Sequence, residues 1–266
     1  MQLGHARIIG STHYTARMSS SVMVVTGASS GIGAATARRL SEEGHTVVLV
    51  ARRADALEAV AHSCPGPTHT IVADMTLRDD ADRVVAATLA QAGRIDVWVN
   101  NVGRGITRMP SALTADDIQR MMDVNVLSAL YGMQAVLPHF RDRGTGQIIN
   151  VSSMLGRLPY ALPRSAYTAA KHFLNALTIM MRDEVQATHP GIQLTLVSPG
   201  VVYTDFGLNA DHGGADSRSF PGGQMPEDIA RVISQAIASR APDLYTRAGA
   251  AAQVADYYAR VGADPA

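Results

Sequence analysis

The sequence predicts a single α/β domain built on a doubly wound parallel sheet with helices on both faces. Three observations carry this. Short β-branched and aliphatic runs alternate with longer helical segments from Ser21 to Arg260. The runs are apolar throughout, and glycines, serines, asparagines or arginines fall directly after several of them. Fully apolar strands belong to a sheet covered on both faces. Right-handed crossovers between them leave a ligand crevice at the strands' C-terminal ends.

Val22-Met23-Val24-Val25 predicts the first strand, followed by a helix from Ile32 to Glu43. Thr46 to Val50 predicts the second strand, with a helix around Asp55 to His62. His69 to Val72 and Ile95 to Val99 continue the series, with a helix from Asp79 to Ala92 between them. A long helix is expected after Ser111-Ala112-Leu113-Thr114, running towards Leu137 and ending near Pro138, because proline lacks the N–H that a helix needs. Gln147 to Val151 is the next strand, Ser165 to Thr188 a helix, and Ile192 to Val197 a strand. A helix near Pro226, a short Leu244-Tyr245 strand and a helix over Ala250 to Arg260 close the pattern.

Composition narrows the function classes. Hydrophobic residues make up 47% of the 266 and charged residues 17%, which describes a folded globular chain. A formal net charge of +0 argues against nucleic acid as a partner. The nine histidines fall in no metal-ligand spacing, so no metal is expected, and no apolar run is long enough for a membrane span. Cys64, the single cysteine, has no internal disulfide partner, which suits a reducing cytoplasm. Residues 1–20 are polar and mixed, without the apolar centre of a secretory signal. They are expected to be a flexible extension ahead of one domain over residues 21–266.

The candidate chemistry lies at the strand ends. Thr26-Gly27-Ala28-Ser29-Ser30-Gly31-Ile32-Gly33 joins the first strand to the first helix. Its glycines let backbone approach a ligand, and the helix N-terminus offers N–H groups to a pyrophosphate. The same residues satisfy the Gly-x-Ser-x-Gly elbow of α/β-hydrolases, with Ser29 as nucleophile and His212 as the least unsuitable histidine. Arg52 and Arg53 follow the second strand, where arginine suits a ribose 2′-phosphate and a carboxylate would suit a free hydroxyl. Asp74-Met75 follows the third strand, Asn100-Asn101-Val102-Gly103 the fourth, and Ser152-Ser153 the fifth. Lys171, the single lysine among 23 basic residues, stands four positions after Tyr167. On a helix that spacing makes the two neighbours, and an ammonium there would lower the phenol pKa.

Together these residues resemble the short-chain dehydrogenase/reductase family over about Ser21 to Tyr245. Thr26 to Gly33 matches the family's cofactor loop, and Asn100-Asn101-Val102-Gly103 its Asn-Asn-Ala-Gly, with Val102 in place of alanine. Ser153, Tyr167 and Lys171 match its catalytic serine and Tyr-x-x-x-Lys, and Asn125 its catalytic asparagine. Pro199-Gly200-Val201-Val202-Tyr203-Thr204 matches its Pro-Gly segment and nicotinamide-contacting threonine. The Ser153-to-Tyr167 interval is one residue longer than the family pattern, within residues 158–163. Both Ser152 and Ser153 are therefore candidates to face the substrate, with Ser153 favoured.

The resemblance implies a Rossmann-type fold, a homodimer or homotetramer, and hydride transfer between NADP(H) and a small carbonyl or alcohol, with NAD(H) the second choice. Gly27, Ser29, Ser30, Gly31, Ile32, Gly33, Arg52, Arg53, Asp74, Met75, Asn101, Val102, Gly103, Pro199, Gly200, Val202 and Thr204 would then hold the cofactor, with Tyr167 and Lys171. Ser153 would hold the carbonyl oxygen and Tyr167 would act as acid/base. Lys171 would lower the Tyr167 pKa and hold ribose hydroxyls, and Asn125 would support a water. Residues 205–225 read as a substrate lid, with Phe206, Leu208, Phe220 and Met225 as apolar lining. Met154, Leu155, Tyr160 and Leu162 are expected to add to the pocket, while Arg104, Arg108 and Arg164 leave room for an anionic substrate. A non-catalytic NADP(H)-binding regulatory protein is the alternative from another class.

Overall fold

The computed structural model describes residues 20–261, so the expected N-terminal extension lies outside them up to residue 19. Seven strands, β1 (Val22–Thr26), β2 (Thr46–Ala51), β3 (Thr68–Val72), β4 (Val97–Asn100), β5 (Gly146–Val151), β6 (Ile192–Ser198) and β7 (Asp243–Tyr245), form one sheet. Their order is β3-β2-β1-β4-β5-β6-β7, and every pairing is parallel. The direction of winding reverses between β1 and β4, which opens a crevice at their C-terminal ends.

Most strand residues are apolar, and alternate residues serve different faces of the sheet. Met23, Val25, Val47 and Leu49 pack beneath α1 (Gly31–Glu42), α2 (Ala54–His62) and α7 (Pro226–Ser239), meeting Leu40, Leu57 and Ile233. Val24, Val48, Val50 and Trp98 turn to the opposite face. There α3 (Arg78–Ala92), α5 (Ser128–Arg143) and α6 (Ser165–Gln186) bring Val84, Phe140 and Val185. The remaining helices are α4 (Ala115–Met122) and α8 (Ala250–Arg260). Among the described residues, no helix is long and apolar enough to cross a membrane.

The long helix expected after Thr114 departs from expectation in two ways. It is divided by a π-helical turn at Asp123–Leu127, and it runs through Pro138 to Arg143. Asn125 explains the first: its Nδ2 donates to the Met121 carbonyl at 3.1 Å and so enters the helical hydrogen-bond ladder. Packing explains the second. Leu137 and Phe140 are both buried on the sheet, worth about 1.5–3 kcal/mol each, against roughly 3 kcal/mol for an interior proline. Gly144, at φ +69°, ends the helix instead.

A polar ladder crosses the buried side of this helix layer. Trp98 Nε1 donates to Asn100 Oδ1 (2.7 Å), Asn100 Nδ2 to Asn150 Oδ1 (2.9 Å), and Asn150 Nδ2 to Thr178 Oγ1 (2.8 Å). Gly132 of α5 lies against it, where a Cβ would stand 2.4 Å from Asn100 Oδ1 and 2.7 Å from Trp98 Nε1. Gly132→Ala is expected to cost about 1–3 kcal/mol. Urea unfolding would read this as a lower midpoint at an unchanged slope, and an unchanged midpoint would contradict the close packing.

Candidate active site

The crevice begins at the turn between β1 and α1. Gly27 and Gly31 take positive φ values of +66° and +54°, a backbone region that favours glycine. Gly33 allows a close crossing, since a Cβ there would lie 2.3 Å from the Gly27 carbonyl oxygen. Thr26 Oγ1 donates to the Val99 carbonyl and accepts from Asn101 N, and Asn101 Nδ2 donates to the Thr26 carbonyl, all at 3.1 Å. These bonds staple the β1 turn to the segment after β4. The Ser30 side chain makes no cap hydrogen bond at the start of α1, whose first turn contains no acidic residue. Glycine cradle and open helix N-terminus together fit a dinucleotide's pyrophosphate.

The segment after β2 supplies positive charge. Arg53 Nη2 lies 3.1 Å from Ser29 Oγ and 3.3 Å from Ser30 Oγ, while Arg52 Nη1 stands 3.5 Å from Asp74 Oδ2. Asp74 Oδ1 accepts from Thr76 N and Oγ1, and Met75 is buried beside it in the sequence. An open cleft of about 580 Å³ joins Arg52 and Thr76 to Arg104, Arg120, Val124 and the lid residues Asp211 and His212.

At the other end of the crevice α6 turns an unusual face inward. Tyr167, Lys171 and Asn175, spaced by four, are all buried. Asn175 Oδ1 accepts from Ser152 Oγ at 2.5 Å, and its Nδ2 donates to the Gly156 carbonyl. Ser152 is thus tied back into the protein. Ser153 Oγ accepts from Leu155 N and lies close enough to the Tyr167 phenol to lower its pKa. Lys171 Nζ donates to the Val151 carbonyl at 3.0 Å and sits 5.7 Å from the Tyr167 ring centroid.

Asn125 is fixed by the Arg104 backbone, accepting from its N at 3.1 Å and donating to its O at 3.0 Å. A Cβ on Gly103 would lie 3.2 Å from Asn125 Oδ1 and 3.7 Å from Lys171 Nζ, so both groups converge on this glycine. Thr204 approaches the opposite rim, its Cγ2 being 3.2 Å from the Cβ position of Gly31. Pro199 accepts from Met154 N, Val202 is buried, and Gly200 packs against Arg247.

The electrostatics correct one expectation. Burial pushes the Tyr167 phenol up to about 12, outweighing the Ser153 hydrogen bond and the Arg164 charge, which both pull it down. Lys171 is not among those causes, because burial drives its own pKa down to about 8 and it has lost its charge by the pH at which a phenol of about 12 ionises. A buried phenol of this kind holds its proton at neutral pH.

The stretch around Asp211 and His212 is tied down by charge and hydrogen bonds. Asp211 exchanges backbone bonds with the segment after β4, accepting from Thr107 N and donating to the Gly105 carbonyl, both at 2.9 Å. Asp117, fully buried, receives His212 Nε2 (2.7 Å), Arg120 (2.8 Å) and Arg108 (2.9 Å), which holds its carboxyl well below the usual range. Ser29 and His212 are each engaged elsewhere, with Arg53 and with Asp117, so the hydrolase pair is not assembled.

The expected apolar lining is also reduced. Phe206 stacks edge-on to Tyr167 with centroids 5.4 Å apart, and Leu155 packs in the same cluster. Met154 instead packs with Leu158 and Ala250, while Tyr160, Leu162, Leu208, Phe220 and Met225 are exposed. Asn175 and Asp117 were not singled out in the sequence. Asn175 was legible as the next turn after Lys171, whereas Asp117 shows only its capping box with Thr114.

Comparison with known proteins agrees with this geometry. The profile of the short chain dehydrogenase family matches residues 21–213. An uncharacterized oxidoreductase of Staphylococcus epidermidis is 34% identical over 198 residues, covering 74% of this chain and 85% of that one. A short-chain dehydrogenase from Streptomyces avermitilis superposes with a TM-score of 0.80 at 31% identity, over 92% of this chain and 94% of that one. An alcohol dehydrogenase from the archaeon Thermococcus sibiricus, solved with 5-hydroxy-NADP, gives 0.74 at 26% identity over 85% and 95%. The parallel sheet is shared with these solved structures, and the chain belongs to the short-chain dehydrogenase family of oxidoreductases.

Proposed function

We propose that this protein interconverts a carbonyl and its alcohol on a small molecule, using NADP(H) in preference to NAD(H), with Tyr167 as general acid/base. The observation that carries this reading is the buried Tyr167 phenol, set beside Ser153 and flanked by Lys171. When bound, the nicotinamide supplies the hydride chemistry. Ser153 donates a hydrogen bond to the substrate oxygen, and Tyr167 gives its proton to that oxygen as negative charge develops there. Lys171 has three donors, of which the Val151 carbonyl takes one, leaving two for ribose hydroxyls. Asn125 holds a water within reach of Lys171 and so links the site to solvent.

In the same reading the turn from Gly27 to Gly33 binds the pyrophosphate through Ser29, Ser30, Gly31 and Ile32. Asp74, Met75, Asn101 and Val102 border the adenosine half, Gly103 lies beside Lys171, and Pro199, Gly200, Val202 and Thr204 border the nicotinamide half. Arg52 and Arg53 bind the 2′-phosphate. The half-buried Cys64 thiol, raised in pKa by burial, suits the reducing cytoplasm that we propose as its location. Phe173, Ala176 and Met180 form an exposed stripe at helical spacing on α6, which supports a homodimer or homotetramer.

Tyr167→Phe should leave NADPH binding nearly intact and lower kcat about a hundredfold to ten-thousandfold. Since burial keeps the phenol protonated, kcat/KM for carbonyl reduction should stay level across neutral pH, while that for alcohol oxidation rises towards alkaline pH. Near-normal turnover by the variant on a carbonyl and alcohol panel would reject Tyr167. Tight NADPH binding by wild type without any turnover would favour the regulatory alternative.

Replacing both Arg52 and Arg53 with serine should lower kcat/KM with NADPH at least about tenfold, with little change for NADH. Equal use of both cofactors by wild type would count against the 2′-phosphate role. Light scattering should give a solution mass two or four times that of the chain, whereas a monomer would refute the proposed assembly.

A further inference from the structure

Resting on the oxidoreductase reading above, we infer that the substrate is an anion and that Arg164 holds its carboxylate or phosphate-type group. Three arginines stand near the substrate side of the crevice, and two are neutralised. Arg104 pairs with Asp211 at 2.5 Å and Arg108 with Asp117 at 2.9 Å. Arg164 is half-buried, and among the described residues no ion pair engages it. Its one side-chain hydrogen bond runs from Nη1 to the Ile106 carbonyl at 3.2 Å. A guanidinium has five N–H donors, so four remain for another partner.

The position makes the lack of a carboxylate harder to explain structurally. Arg164 is the N-cap residue of α6, where the helix dipole favours negative charge. Burial lowers its pKa, so the protein pays to desolvate a cation that receives no counter-charge from the fold. An anionic ligand would satisfy both the helix end and the guanidinium.

The surroundings aim the group at the reacting site. Arg164 draws the Tyr167 pKa down, so its charge reaches the phenol. The Cβ position of Gly105 lies 2.7 Å from Arg164 Nη1 and 3.0 Å from Phe206 Cε1, and Phe206 itself stacks on Tyr167. On the lid side, the Cβ position of Gly214 lies 3.0 Å from Arg164 Nη2 and 3.1 Å from Thr107 Oγ1. Thr107 Oγ1 is buried without a hydrogen-bond partner, as is Ser165 Oγ beside Arg164 in the sequence. Phenol, aromatic spacer and arginine fork describe a molecule whose carbonyl lies at Tyr167 and whose acid group is a short apolar step away.

The test uses the full chain with acetoacetate, levulinate, their methyl esters, and acetonylphosphonate as the phosphate-type probe. Wild type should favour at least one anion over the esters by about tenfold or more in kcat/KM. Arg164→Gln should abolish that advantage through a KM rise of about 10- to 100-fold for the acids, with a clearly smaller loss for the esters. Arg164→Lys should recover part of it.

Calorimetric titration of the same anions into NADP⁺-saturated protein should show the same dependence on Arg164. Ester turnover with no preference for anions overturns the inference and leaves the oxidoreductase reading standing. Arg164-dependent anion binding without turnover of any probe upholds Arg164 as the anion-holding group but overturns the anion as substrate, together with that reading. Equal losses for acids and esters in Arg164→Gln would make Arg164 a structural strut and overturn the inference, as would failure of every anion to bind. Preference for levulinate or acetoacetate over acetonylphosphonate identifies the group as carboxylate, and the reverse order as phosphate-type.

Discussion

The cost of hiding one ammonium organises the end of the crevice where Tyr167 and Ser153 lie. Lys171 is 3% exposed and has the Val151 carbonyl as its protein partner. Its pKa falls to about 8 from the ordinary 10.5. The unfolded chain therefore keeps this proton over a pH range in which the folded chain has lost it. The penalty is carried in full below about 8 and is relieved as pH rises towards 10.5. A fold tolerates such a group only when its surroundings are rigid. Here the end of β5, the length of α6 and the Asn125 side chain all meet around it. The Ser152–Asn175 bond then holds the neighbouring turn so that Ser153, not Ser152, reaches the phenol.

Charge performs a second task in the stretch around Asp211 and His212. A chain that uses arginine in 22 of its 23 basic positions has forks available for shared, multidentate pairing. Arg120 bridges Asp117 and Asp211, and Arg108 and His212 meet at Asp117. One buried carboxylate thereby connects the start of α4 to a loop some ninety residues later. His212 takes a positive φ of +63° there, a conformation uncommon for a residue with a side chain. The contacts of Asp117 and Asp211 hold the chain on either side of that residue.

Much of the fold was legible because each strand is an apolar run ending in residues that sheets seldom contain. The same break marks the crevice, so Gly27, Asn101 and Ser153 could be placed from the chain alone. The helix pair Tyr167 and Lys171 was legible from spacing. The phenol's raised pKa was not, since burial comes from Phe206 and the segments that close over α6. Nor could the chain distinguish Arg164 from Arg104 and Arg108. Their difference depends on which carboxylates lie nearby after folding: Asp211 is more than a hundred positions from Arg104, and Asp117 only nine from Arg108. Pro138 misled because the local rule against interior proline was weighed without the burial of Phe140 beyond it.

The π-helical turn around Asn125 acts as a phase shifter between two helices that share one run of chain. A single surplus residue rotates everything downstream by about 100°. The polar side of α4, with Asp116 and Gln119 in solvent, is thereby uncoupled from the apolar side of α5 that carries Met133, Val136 and Phe140. One uninterrupted helical phase would have to compromise between facing the lid and facing the sheet. Splitting the phase lets each half keep its own orientation, with an asparagine amide at the splice.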